Sequence, residues 1–106
     1  MTRSYSSADV CAHTGITYRQ LDYWTRSGRI SGTDNPGSGY HREYTGEQLL
    51  AVGYAASLIE AGFTPGAALT LGQALAAEPA EVISLADGVV EVRIPAELHR
   101  QVRRSA

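Results

Sequence analysis

Apolar and polar positions in the first half of the chain repeat one pattern three times. An apolar residue is followed by Ser or Thr, then by an acid or amide three residues further on, then directly by a second apolar residue. The pattern occupies Tyr5 to Val10, Ile16 to Leu21 and Tyr44 to Leu49. In each copy the hydroxyl can accept from a free backbone N–H of a first helical turn. The side chain three residues on can reach back, and the apolar pair staples the chain where the helix begins. A fourth start, Phe63-Thr64-Pro65, places proline where its missing N–H costs nothing.

These starts predict helices over about 7–13, 18–27, 46–61 and 65–77, stopped by Gly15, Gly28, Gly62 and Pro79. In the second helix Leu21 and Trp24 lie three apart on one face and belong to the core. Tyr18, Arg19, Asp22, Tyr23 and Arg26 are left for other faces. Ile30 is expected to drop back inside. Two short helices joined by a tight Gly-containing turn predict a helix-turn-helix. The stretch 31–44 is rich in turn formers at its centre, and aromatic and basic at its end, which fits a short hairpin. The fold class expected is therefore mainly α.

After Pro79 the pattern changes to period two. Val82 to Ala86 and Val89 to Ile94 flank Asp87-Gly88, a dipeptide suited to the two-residue type I′ turn. Folding there sets Leu85 opposite Val90 and Ile83 opposite Val92, with Ser84 and Glu91 on the other face. Pro95 then opens a short basic helix with Leu98 and Val102 one turn apart. Two units are expected, residues 1–80 and a hairpin-helix appendage over 81–106.

At 106 residues the chain can bury one modest core, which excludes a large multi-domain enzyme. No apolar run approaches the roughly 20 residues that span a bilayer, and the N-terminus lacks a signal-peptide core, so a cytoplasmic, nucleoid-associated address is expected. Cys11 is the only cysteine. Its place in the first helix suits a small packed residue better than a reactive thiol. His13, His41 and His99 are far apart, no HExxH or GxSxG occurs, and the acids are scattered. No catalytic residue, metal site or cofactor is expected.

The net charge of −2 conceals an asymmetry. Residues 1–46 hold five arginines against four acids, whereas residues 47–106 hold four arginines against seven acids. Every basic residue is arginine, the side chain best suited to bidentate contact with phosphate or guanine.

With the helix-turn-helix, Gly39-Tyr40-His41-Arg42-Glu43-Tyr44 and Leu58-Ile59-Glu60-Ala61-Gly62-Phe63-Thr64-Pro65 in this order, Tyr5 to Leu69 resembles the DNA-binding region of the MerR-type winged-helix superfamily. The resemblance implies a second helix in the major groove and a wing on flanking backbone or minor groove. By position, Tyr23 matches a phosphate-contacting aromatic, and Arg42 and Tyr44 match the wing's Arg-x-Tyr. Two departures accompany it. Asp22 stands where many members carry arginine, and would repel phosphate unless paired, with Arg19 or Arg26 as candidates. The fourth helix is also expected to end early at Pro79, without the long dimerising helix and sensor domain that follow in effector-responsive members.

The fold expected is thus a winged helix-turn-helix of about four helices with a C-terminal hairpin and short helix. The residues expected at double-stranded DNA are Thr17, Tyr18, Arg19, Tyr23, Arg26, Tyr40, His41, Arg42 and Tyr44. Arg19 is the base-edge candidate, and Tyr23 and Arg26 are phosphate holders. The function expected is that of a bacterial or phage transcriptional regulator, with an excisionase-like recombination factor or a protein-interaction adaptor as alternatives. A lone hairpin is unstable in water, so its apolar face needs a cover. That cover is either the third and fourth helices or a second copy. A homodimer is preferred, since small DNA readers use two half-sites and open strand edges invite pairing.

Overall fold

The computed structural model describes residues 4–30 and 42–105. Strand β1 (Ser4–Tyr5) leads into helix α1 (Ser7–Thr14), then α2 (Tyr18–Arg26), strand β2 (Tyr44–Thr45), α3 (Gly46–Glu60) and α4 (Pro65–Ala77). Strands β3 (Val82–Leu85) and β4 (Val90–Arg93) and helix α5 (Ala96–Ser105) complete the chain. The expected mainly α helix-turn-helix with a C-terminal hairpin and short helix is what forms.

The helix starts do what their residues dictate. Ser6 Oγ accepts from Asp9 N–H at 3.1 Å while Asp9 Oδ2 accepts from Ser6 N–H at 3.0 Å, and Thr45 and Gln48 make the same reciprocal pair at 3.1 and 2.7 Å. For α2 the forward half is present, from Gln20 N–H to Thr17 Oγ1 at 3.2 Å. Thr64 Oγ1 accepts from Ala67 N–H at 3.3 Å, with Pro65 at the first helical position. Gly28 and Gly62, with φ of 77° and 111°, close α2 and α3, letting Arg29 N–H reach Trp24 O at 2.9 Å and Phe63 N–H reach Leu58 O at 3.0 Å.

Helices α3 and α4 form a hairpin whose closest approach is at Gly72. A Cβ there would overlap the carbonyl oxygen of Ala51 and lie 3.1 Å from the backbone nitrogen of Ala55. The two backbones touch with no side chain between them, so only glycine fits. Against this pair the helix-turn-helix buries Val10, Leu21, Trp24 and Ile30 together with Leu49, Val52, Leu58 and Leu69. Strand β1 pairs antiparallel with β2, Tyr5 facing Tyr44, and ties the N-terminus to the start of α3. Two-residue strands carry no period, and nothing in the sequence announced them.

In the tail, Leu85 faces Val90 and Ile83 faces Val92, the register the alternation predicts. The connection differs. Ala86 joins Asp87 and Gly88 at positive φ, 52°, 54° and 87°, and bonds from Gly88 N–H to Leu85 O and from Val89 N–H to Ala86 O make a four-residue loop of two overlapping turns. Both loops leave Leu85 opposite Val90, so the register survives the change.

Of the two covers expected for the hairpin's apolar face, the chain's own helices supply one for its inner residues, while Val90 stays 49% exposed. Ile83 and Leu85 pack on the main core. Ile83, Val92 and Leu98 surround a second cluster of Tyr54, Leu75, Ile94 and Val102. A polar chain closes it. His99 Nε2 donates to Ala80 O at 3.0 Å, which in the neutral ring leaves Nδ1 to accept from Tyr54 Oη–H at 2.6 Å. Arg103 donates through Nε to Tyr54 Oη at 3.2 Å and through a terminal nitrogen to Leu75 O at 3.1 Å. Tyr54 is fully buried, so this satisfaction of its hydroxyl is what makes its burial tolerable.

Candidate nucleic-acid interface

Helix α2 has a dry side and a wet side. Leu21, Trp24 and Thr25 are buried, whereas Thr17, Tyr18, Arg19, Tyr23 and Arg26 are exposed, Tyr18 to 50% and Tyr23 to 55%. Two half-exposed tyrosines beside three arginines are the feature that marks this face. The third arginine is Arg29, just past Gly28, whose guanidinium carbon lies 5.9 Å from the centre of the Tyr23 ring. Its backbone oxygen accepts from Gln73 Nε2 at 2.8 Å, anchoring the end of α2 to α4. Arg29 was not among the site residues expected; its place one turn beyond Arg26, across a glycine cap, was the available signal.

Between α2 and the N-terminus of α4 runs an open groove of about 490 Å³, lined by Thr17, Arg19, Tyr23, Arg29, Pro65 and Gly66. No acid lines it.

Asp22 is the one acid on α2, and it is neutralised. Arg42 donates to its Oδ1 at 2.6 Å, and Arg26 Nε lies 3.2 Å from its Oδ2. The hydrogen bond from Arg42 is the largest effect and holds the carboxyl below its ordinary range against desolvation, the next largest, with the nearby charge of Arg26 adding to the lowering. Burial works against the charge on Arg42, and Asp22 together with Tyr44 more than offsets it, so that guanidinium holds its proton more tightly than usual. Of the two partners suggested for Asp22, Arg26 is one; Arg42 takes the place of Arg19.

Two of the residues expected at DNA are buried in the structure. The Arg42 side chain is 0% exposed and Tyr44 is 1% exposed. Thr25 spends its hydroxyl proton on Leu21 O at 2.8 Å, so in the 2.8 Å contact with Tyr44 it is Tyr44 that donates. Both residues face inward because α2 presents Asp22 and Thr25 to them. They fasten β2 and the segment before it to α2. Tyr40 and His41 lie outside the described residues.

Cys11 is half-buried against the core, and burial pushes its thiol up. Among the described residues no three His, Cys, Asp or Glu side chains converge as a metal site, and no helix is long and apolar enough to cross a membrane.

The model for MerR HTH family regulatory proteins matches residues 5–74, most of the chain, from β1 to the last turn of α4. The chain belongs to the MerR family. Uncharacterised HTH-type transcriptional regulators of Mycobacterium bovis and Mycobacterium tuberculosis are each 36% identical to it over 62 residues. That alignment covers 57% of this chain and 28% of each relative, so the chain spans less than a third of the curated relatives it matches. No solved structure matches it. Membership of this MerR regulator family supports DNA-binding transcription regulation as the class of function.

Proposed function

We propose that this MerR-family chain binds duplex DNA sequence-specifically, with α2 in the major groove, as a transcriptional regulator. The observation that carries the reading is the outer face of α2, where Tyr18, Arg19, Tyr23 and Arg26 are exposed while Asp22 is already paired. Arg19, on the first turn, reads a base edge, since a guanidinium can pair with both major-groove acceptors of guanine. Tyr23 and Arg29 act together on phosphate, the ring under the guanidinium and both beside the groove towards α4. Arg42 and Tyr44 set the position of α2 from behind.

The test is protection mapping on genomic DNA, followed by titration of the protected duplex and of a random one. Arg19→Ala should weaken the protected site by about 1 to 3 kcal/mol with little effect on random DNA. Arg29→Ala should weaken both duplexes alike and flatten the salt dependence. Equal losses on both duplexes for Arg19→Ala would assign Arg19 to phosphate. Absence of any salt-dependent DNA binding would overturn the reading.

A further inference from the structure

A cavity of about 170 Å³ opens where α1, α3 and α5 meet. Its floor is small and apolar, made by Gly53, Ala56 and Val102, and a Cβ at Gly53 would lie only 3.1 Å from Val102 Cγ1. Its walls are polar. His13 stands at the end of α1, while Ser57 and Glu60 lie three apart on one face of α3. The hydroxyl of Thr14, which also lines the cavity, is already committed, donating to Val10 O at 2.7 Å and accepting from Ile16 N–H at 3.2 Å. The other three are open. Neither Ser57 nor Glu60 makes a side-chain hydrogen bond or ion pair among the described residues. His13 Nδ1 donates to Asp9 O at 2.8 Å, which in the neutral ring leaves Nε2 as an acceptor. Glu60 brings the charge, and among the described residues no arginine lines the cavity.

We propose that this cavity binds a small organic ammonium ion, its nitrogen held by Glu60, His13 and Ser57 and its hydrocarbon laid on Gly53, Ala56 and Val102. An ammonium group carries donors and no acceptor. A carboxylate, an imidazole nitrogen and a hydroxyl oxygen, all able to accept, stand around one apolar base, which is the complement of that ion. An anion would meet the charge of Glu60 with no cation to offset it, and a neutral alcohol would forgo the charge-assisted bond to the carboxylate. A metal ion would find His13 and Glu60 but no third His, Cys, Asp or Glu beside them among the described residues. Size limits the ligand. A volume of about 170 Å³ equals about five or six liquid waters at roughly 30 Å³ each, which suits one ring with a short arm and excludes a nucleotide-sized molecule. The occupied cavity would tie the end of α1 to α5 across α3. It uses no residue of α2, so the proposal does not rest on the DNA-binding reading.

Proton–nitrogen correlation NMR of the full chain reads the site directly. Phenethylammonium should shift the amides of residues 13–14, 53–60 and 101–102 saturably. Phenethyl alcohol, with the same skeleton and no charge, should bind about tenfold more weakly or worse, and 3-phenylpropionate should leave those amides unmoved. Glu60→Gln, which keeps the shape and removes the charge, should weaken phenethylammonium about tenfold or more. Glu47→Gln removes an exposed acid of the same helix outside the cavity and should bind like the parent. Spectra of the two free variants, overlaid on the parent's, serve as the folding control, both side chains being exposed. No saturable shift at millimolar phenethylammonium overturns the proposal. Equal binding of the three probes, shifts scattered over the surface acids, or a Glu60→Gln chain that binds as well as the parent overturns it too.

Discussion

The helix-turn-helix half and the tail half of this molecule are held by different means. Around α2 the core is mostly apolar, with Trp24 and Leu21 fully buried, and its two polar links, Arg42 to Asp22 and Tyr44 to Thr25, join side chains at its edge without running through the apolar cluster. Around α5 the apolar cluster is small, and a chain of hydrogen bonds through Tyr54, His99 and Arg103 runs through it. Apolar contact tolerates small displacements, whereas a buried hydroxyl is satisfied in only a few arrangements. The head is thus held by area and the tail by direction. An exposed reading surface can change its outward side chains while its support stays intact; a docked tail depends on each of its partners.

Trp24→Ala should produce the largest loss, roughly 3 to 5 kcal/mol, because truncating a fully buried aromatic leaves a cavity beneath α2. Urea unfolding followed by far-ultraviolet circular dichroism checks it. A midpoint close to the parent's would contradict the burial of this side chain.

Removing residues 81–106 comes next. It uncovers Tyr54 and Leu75 on one side, and partial exposure of two side chains whose full burial is worth roughly 1.5 to 3 kcal/mol each should cost about 2 to 4 kcal/mol. The remaining 1–80 should therefore melt well below the full chain in calorimetry. Unchanged melting of 1–80 would make the tail an independent appendage and dissolve the contrast between the halves.

The rim of the head supplies a pH test. Asp22 titrates below its ordinary value of 3.8 in the folded chain, so the unfolded chain binds its proton first as pH falls. The pair with Arg42 then contributes stability that is complete above that ordinary value and is lost as pH drops through the lower folded one. Asp22→Asn should remove this part of the acid dependence while lowering stability at neutral pH, where Arg42 keeps its charge without its counter-ion. Urea midpoints measured from neutral to strongly acidic pH would expose an error if the variant and parent curves stayed parallel.

The smallest effect concerns the tail loop. Ala86 sits at φ 52°, a region that alanine enters at a cost and glycine enters freely. Ala86→Gly should raise stability by about 0.5 to 1 kcal/mol after the extra flexibility of the unfolded chain is counted. A loss of similar size would place the strain elsewhere.

What could be read from the sequence was local. Capping boxes at Ser6 and Thr45, and the facing of Leu21 and Trp24, follow from residues within one or two turns, and the tail register follows from alternation about Asp87-Gly88. What could not be read depends on partners far along the chain. Arg42 and Tyr44 have the composition of an exposed wing, and only the fold brings Asp22 and Thr25, about twenty residues earlier, beneath them. The partners of Tyr54, His99 and Arg103, lie more than forty residues away on α5, beyond the reach of any local pattern. Ala86 carries no mark of a left-handed backbone.

The close approach at Gly72 has a consequence for how this chain can diversify. With the spacing of α3 and α4 set by backbone on backbone at Ala51 and Ala55, any side chain at position 72 must force the helices apart. Substitutions there are closed, and descendants of this sequence inherit a scaffold of fixed thickness. The outer side chains of α2 carry no such constraint, since Tyr18, Arg19 and Tyr23 fill no interior space. Variation can accumulate on that face alone, one residue at a time, without renegotiating the body beneath it.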